Sequence, residues 1–265
     1  MSDPHMSSCA GPQRIADRMM IGGSTVLVTG ANRGLGRALV RALTEAGCAK
    51  VYAAARNVAS IASDRAVQPV ELNITNTEQV AAAAARCHDV EILINNAGVA
   101  GFTPALAAPT MEHARLEMET NYFGTLAMCR AFAPVLKRNG GGVLVNMLSV
   151  VSWFNAPMQG SYCASKAAEW SLTRAARFEL RAQGTLVVGV YAGYIDTDMT
   201  SALPLPKTSP DAIAARLLAG IENNSEEILA DERSQSVHGK LFKDDGAFQS
   251  NMQKTWDDYV RRQAP

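Results

Sequence analysis

The stretch Thr25-Val26-Leu27-Val28-Thr29-Gly30-Ala31-Asn32-Arg33-Gly34-Leu35-Gly36 decides the fold. Val26, Leu27 and Val28 form a short apolar run rich in β-branched side chains, and Thr29-Gly30 ends it. From Gly34 to Glu45 the pattern is helical, closed by Gly47. Glycines between a strand and a helix permit a tight turn. They also let a pyrophosphate approach the backbone at the helix N-terminus, where unpaired N–H groups favour an anion. The spacing is G-x-x-x-G-x-G, not the commoner G-x-G-x-x-G, and such a triplet also suits an ordinary turn with a packing glycine. Its place at the first strand-to-helix switch favours nucleotide binding.

Outward from that turn the alternation continues. Strands are expected at 50–54, 67–72, 92–94, 143–148, 186–191 and 227–229, and helices at 76–86, 109–138, 161–183 and 211–222. The strands are continuous apolar runs, as in a parallel sheet covered by helices on both faces. The expectation is an α/β fold, doubly wound, with a single parallel sheet of about seven strands. Residues 23–265 read as one domain with a polar tail beyond Asp231 whose structure the sequence leaves open. Residues 1–22 lack an apolar signal core, begin like an expression scar, and are expected to be a disordered segment outside the fold. Pro204, Pro206 and Pro210 mark 197–210 as a surface flap.

The 265 residues are 48% hydrophobic and 19% charged, enough for a sizeable core and too apolar for disorder over most of the length. Basic and acidic side chains balance at 25 each, so no footprint for nucleic acid or an anionic membrane is present. No apolar run reaches the ~18 residues that span a bilayer. Cys9, Cys48, Cys87, Cys129 and Cys163 are odd in number and scattered, which fits reduced thiols in the cytoplasm better than a disulfide framework or a zinc site. His88 and His113 lack a second ligand at metal spacing, and no metal is expected.

Chemistry gathers after the fifth strand. Tyr162 and Lys166, four apart, share a helix face. A phenol ordinarily titrates near pH 10, and an adjacent ammonium favours the phenolate, which lowers it. Y-x-x-x-K is common by chance, so the pair alone decides nothing. Ser149 stands 13 residues earlier at the C-terminal end of a strand, where open α/β sheets bind ligands. Its hydroxyl can donate to a carbonyl oxygen that Tyr162 protonates.

With Asn95-Asn96-Ala97-Gly98 after the fourth strand and Asn121 in the long helix, these residues resemble the short-chain dehydrogenase/reductase family over residues 24–230. Asn121 and the nearby Gly124 are also poor helix formers. The resemblance implies a Rossmann fold and an oxidoreductase that moves a hydride between a nicotinamide cofactor and a carbonyl or alcohol. It assigns catalysis to Ser149, Tyr162, Lys166 and Asn121, the asparagine holding a water that links the lysine to solvent. It places cofactor contacts at Gly30, Asn32, Arg33, Gly34, Leu35 and Gly36, at Asn73 and Ile74, and at Asn95, Ala97 and Gly98. Gly193, Ile195 and Thr197 follow after the sixth strand, with Tyr162 and Lys166 on the nicotinamide ribose side. Two positions depart from the family pattern. Ala192-Gly193 stands where Pro-Gly is usual, which questions the rigidity of that loop. Asn73 stands where aspartate is favoured, and its amide keeps an acceptor for the adenine amino group.

The second strand ends Ala53-Ala54-Ala55-Arg56-Asn57, without the acid that binds a ribose 2′-hydroxyl. Arg56, with Arg33 from the other side, can pair a 2′-phosphate, so NADP(H) is expected in preference to NAD(H). Two solvated arginines are the plain alternative. Trp153, Phe154, Met158 and Tyr194, beside Ser149, are expected to line a pocket for a small hydrophobic ketone or aldehyde. They suit loop packing or a subunit surface equally, and no charged side chain between Ser149 and Tyr162 offers a handle for an anion. The reading is a cytoplasmic NADP(H)-dependent carbonyl reductase, an alcohol dehydrogenase in reverse, acting on a small molecule as a homodimer or homotetramer. The alternatives are a non-catalytic NADP-binding sensor or scaffold and an NAD-dependent alcohol dehydrogenase.

Overall fold

The computed structural model describes residues 20–241, 250, 251, 253–255, 257, 258, 261 and 262. Strands β1 (Thr25–Thr29), β2 (Lys50–Ala55), β3 (Val67–Glu71), β4 (Ile92–Asn95), β5 (Val143–Met147), β6 (Leu186–Tyr191) and β7 (Glu227–Leu229) form one sheet. Their order is β3-β2-β1-β4-β5-β6-β7, and every neighbouring pair is parallel. This is a doubly wound Rossmann-type sheet. The order reverses between β1 and β4, and ligands of such sheets bind in the crevice beyond the carboxyl ends at that reversal.

Both faces are dry. Val26 and Val28 of β1 enter one core and Leu27 the other, which is why the strand reads as an unbroken apolar run. Helices α1 (Gly34–Glu45) and α6 (Pro210–Glu222) cover the first face. Helices α2 (Thr77–Arg86), α4 (Thr125–Arg138) and α5 (Gly160–Leu180) cover the second. Asn76 caps α2 by accepting the Gln79 N–H at 2.8 Å, and Ser209 caps α6 ahead of Pro210. Past α5 a short 3₁₀ turn ends at Gly184, whose φ of +77° favours glycine.

Three elements differ from expectation. The helix expected over 109–138 is split: α3 (Glu112–Glu117) widens into a π-helical turn, Met118–Gly124, before α4. A Cβ at Gly124 would lie 2.8 Å from Ile74, so the wide turn packs close against the end of β3. The boundary at 23 also falls late. Ile21 is 1% exposed in the first core, and its carbonyl accepts the Ser24 hydroxyl at 2.7 Å. The expectations for 1–19, including Cys9, lie outside the described residues. The polar tail, lastly, forms α7 (Glu232–Leu241), started by buried Asp231, whose carboxylate accepts the Ser234 N–H at 2.7 Å.

Among the described residues no helix is long and apolar enough to cross a membrane, and no cluster of His, Cys, Asp and Glu could hold a metal. Cys48, Cys87, Cys129 and Cys163 are free and buried.

Candidate active site

The crevice opens into a cavity of about 1230 Å³, above the ~300–1,000 Å³ of an ordinary small-molecule pocket and roomy enough for a dinucleotide beside a substrate. Gly30, Asn32, Arg33, Gly34, Leu35, Gly36, Arg56, Asn73, Ile74, Ala97 and Gly98 line one end. The glycine turn is closely built. A Cβ at Gly36 would sit 2.1 Å from the Gly30 carbonyl oxygen, so only glycine lets the helix start press onto the turn. The Thr29 hydroxyl accepts the N–H groups of Asn96 and Ala97 at 2.9 and 3.0 Å, tying β1 to the end of β4.

Two contacts at this end differ from the sequence reading. Asn95 does not line the cavity: its Nδ2 donates to Asn146 Oδ1 at 2.9 Å inside the sheet, and Asn96 takes the lining position. The Asn73 Oδ1 expected to face an adenine already accepts the Thr75 N–H and hydroxyl at 3.2 and 3.0 Å. That residue is committed to the turn before α2, and its amide N–H₂ is what remains to offer. Arg33 extends across the cleft to Asp198 at 3.3 Å, both side chains largely in solvent.

Ser149, Tyr162 and Lys166 line the other end. Ser149 follows β5 and caps a 3₁₀ turn, Val150–Ser152; its hydroxyl is 3.4 Å from the Val151 N–H and 3.5 Å from the Ala192 carbonyl, two long bonds that leave it available. Tyr162 and Lys166 start α5, with Nζ 6.0 Å from the phenol ring centre. Nζ donates to the Met147 carbonyl at 2.8 Å and to Glu169 Oε2 at 2.6 Å. Burial opposes the Lys166 ammonium, but Glu169 and Tyr162 outweigh it and raise its pKa. Burial pushes the Tyr162 phenol above its ordinary value; Lys166 and the Ser149 hydrogen bond pull down, and Glu169 pushes up. The net direction is opposite to that expected from the lysine alone, first because the phenol is buried and second because Glu169 stands beside the lysine.

Asn121, 0% exposed, lies behind the cavity wall. The π turn aims its amide at the β4 loop: Oδ1 accepts the Val99 N–H, and Nδ2 donates to the Val99 carbonyl and the Ser165 hydroxyl, each at 2.9 Å. Both amide hydrogens are taken, so the side chain fastens that loop to α5. The signal was legible as a helix-disfavouring residue, while its partner was not.

Phe154, Met158 and Tyr194 line the cavity at the end that holds Ser149. Trp153 does not: it stacks on Tyr191 at 4.2 Å, with His238 of α7 at its edge. Arg233 of α7 enters instead, its guanidinium 4.8 Å from the Tyr194 ring centre. Gly193, Ile195 and Thr197 also line the cavity. Their loop is held without the missing proline: the Gly193 N–H donates to Asp231 at 2.7 Å, and Thr208 exchanges backbone bonds with Tyr194 and Asp196 at 2.9 Å each. Glu169, Asp231 and Arg233 were not anticipated. Lys166 and Glu169 do stand at the i,i+3 spacing of a helical pair, whereas nothing local placed Arg233 at the site.

Residues 24–207 match the short chain dehydrogenase family, and the chain belongs to it. It is an oxidoreductase acting on CH–OH or C=O groups. A short chain dehydrogenase from Burkholderia cenocepacia, solved in complex with NADP, is 42% identical, with a TM-score of 0.86 over 88% of this chain and 99% of that one. A 3α-hydroxysteroid dehydrogenase of Mediterraneibacter gnavus is 29% identical, covering 88% of this chain and 99% of the relative. A 3-oxoacyl-[acyl-carrier-protein] reductase of Vibrio cholerae is 31% identical, covering 70% and 79%. A Burkholderia phymatum enzyme solved with NAD, 22% identical with a TM-score of 0.75 over 83% of this chain and 93% of that one, shares the fold.

Proposed function

We propose that the chain is an NADP(H)-dependent reductase of small, apolar ketones or aldehydes, working in reverse as an alcohol dehydrogenase. One observation carries this: Ser149, Tyr162 and Lys166 share a cavity with the glycine turn and Arg56. The residues present fit the dinucleotide, because the glycine turn leaves the α1 N-terminus open to a pyrophosphate. When bound, the cofactor supplies the hydride. Tyr162, a phenol whose burial favours its neutral form, donates its proton to the carbonyl oxygen. Ser149 donates a hydrogen bond to that oxygen. Lys166 is fixed by Met147 and Glu169, with its cavity side left for the nicotinamide ribose.

Arg56 and Arg33 at the adenosine end, without an acid after β2, support NADP(H), and the B. cenocepacia relative is described with NADP. Val150, Val151, Phe154, Met158 and Leu203 supply an apolar wall for the substrate. Exposed Leu116, Phe123 and Phe178 suit a homodimer or homotetramer, and four buried free thiols suit the cytoplasm.

The test is an NADPH-oxidation screen over ketones, aldehydes and quinones, with cofactor titrations of Arg56→Ala. The variant should lose about 1.5–3 kcal/mol of NADPH affinity, the scale of a charge-assisted contact, and far less NADH affinity. Equal losses for both cofactors would overturn the assignment of the 2′-phosphate to Arg56. No turnover across the panel would leave a binding module.

A further inference from the structure

Tyr162, Lys166 and Glu169 stand at i, i+4 and i+7 of α5, one stripe along one helix face. The side chains of Lys166 and Glu169 are 7% and 1% exposed, and Nζ meets Oε2 at 2.6 Å. Burial lifts the Glu169 carboxyl above its ordinary value, and the ammonium at that distance pulls it toward the carboxylate. We propose that Glu169 is a positioning residue that cancels the charge of Lys166 at Tyr162, holding the phenol as a proton donor and poising the site for carbonyl reduction. This rests on Tyr162 being the donor in the function proposed above.

A lone ammonium beside a phenol favours the phenolate, the form that accepts a proton in alcohol oxidation. An ammonium joined to a carboxylate at 2.6 Å acts on a ring centred 6.0 Å away mainly as a dipole, because the two opposite charges lie closer together than either need lie to the ring. The geometry also fixes where the ammonium points. Met147 O and Glu169 Oε2 take two of its hydrogens from the sheet side and the helix side, leaving the third for the cavity that Lys166 lines.

The neighbouring elements do little to restore the cation. On α5 itself the Cys163 thiol, pushed up to about 11 by burial, stays neutral. On α4 the Cys129 thiol, pushed up to about 12 by burial, stays neutral, and the Thr125 hydroxyl faces the Glu169 carboxylate. On β6 burial raises the Tyr191 phenol well above its ordinary value. The π turn adds Tyr122 and Glu119, and α3 adds Glu117, which is felt at Cys163.

The experiment is a phenolate absorbance titration of the cofactor-free protein. Each background is paired with its Tyr162→Phe partner, so that the difference isolates Tyr162 among the six tyrosines. Glu169→Gln keeps a hydrogen-bond acceptor for Nζ but removes the charge, and should lower the Tyr162 midpoint by about one pH unit or more, a tenfold change in proton affinity. Glu169→Asp, which keeps the charge, should restore most of the difference. Replacing both members of the pair, Lys166→Met with Glu169→Met, removes cation and anion together and should leave the midpoint within about half a unit of the unaltered protein.

A Glu169→Gln protein that melts normally and titrates unchanged would overturn the proposal. So would an upward move of more than about one unit in the double variant, because Lys166 would then have been acting uncancelled. Should Glu169→Gln fail to fold, the double variant, which leaves no buried charge unpaired, decides. The titration needs neither cofactor nor substrate, so its failure is separable from failure of the carbonyl-reductase reading, which the NADPH-oxidation screen tests.

Discussion

Tyr162→Phe removes one oxygen and leaves the ring packed against the small cluster of Val150, Val151 and Cys163. Its melting temperature and NADPH affinity should therefore stay near those of the unaltered protein, while kcat falls by about 10²–10⁴, the range of general acid catalysis. Lys166→Ala should behave differently. It strands Glu169, buried and ionisable, without its partner, a loss of about 3–5 kcal/mol for a broken buried pair. Stability, turnover and NADPH affinity should all drop in that variant. Thermal melts and cofactor titrations on the two proteins separate the roles, and a Tyr162→Phe enzyme turning over at the original rate would eliminate the proton-donor assignment. Ser149, Tyr162 and Lys166 could be picked from the sequence because their spacing is set by one strand, one loop and one helix. Glu169 escaped because a Lys-x-x-Glu pair on a helix is ordinarily a solvated contact worth a few tenths of a kcal/mol. Only burial converts it into an influence on chemistry, and burial of one particular face of α5 depends on what the π turn, α4 and the end of β5 bring against it.

Among the elements, the π turn shows how far local reading reaches. Asparagine and glycine in a helical stretch marked a disturbance near 121–124, but not its geometry, because the partners of Asn121 lie 22 residues earlier at Val99 and 44 later at Ser165. The inner strands β1, β2, β4, β5 and β6 were legible as largely apolar runs bounded by turns, since dry strands need apolar side chains on both faces. The edge strands β3 and β7, by contrast, carry Gln68, Glu71 and Glu227. Helix α7 was not legible, because its residues are mostly polar and its attachment comes from Asp231 and Ser234 rather than from a broad apolar stripe. Trp153 is placed differently from the expectation for a related reason: an aromatic near Ser149 can face the cavity or the interior, and the α7 side of the fold offers it Tyr191 and His238. If the π turn serves to fasten the Val99 loop, Asn121→Ala should leave the backbone groups of Val99 short of their partners and cost about 1–3 kcal/mol. NADPH affinity should fall with it, because Gly98 and Val99 line the cavity. Chemical denaturation and cofactor titration check this, and a variant unchanged in both would show that the loop holds its shape unaided.

At the scale of the whole molecule, the reversal of strand order sets a deep cleft between the glycine turn and the flap that follows β6. The flap is rooted where Thr208 pairs with Tyr194 and Asp196, while Met199, Leu203 and Leu205 turn toward the cavity. Beyond those roots, the Arg33–Asp198 pair ties it to the opposite wall. With side chains 64% and 74% exposed, that pair contributes only about 0–1 kcal/mol to stability. Its interest lies in competition. A cofactor 2′-phosphate recruiting Arg33 would compete with Asp198 for the guanidinium, which would link cofactor binding to the flap's tether. Amide hydrogen exchange across 197–210 should slow when NADPH saturates the protein, as bound ligand adds contacts to a flap whose link to the opposite wall is an exposed ion pair. Asp198→Asn should leave the melting temperature nearly unchanged, quicken flap exchange in the free protein, and tighten NADPH by up to about 1 kcal/mol. That gain should shrink as salt is raised, since both groups are solvated and screened. Exchange that ignores NADPH, together with equal cofactor affinity in Asp198→Asn at low and high salt, would make the flap a static surface loop and the ion pair a bystander.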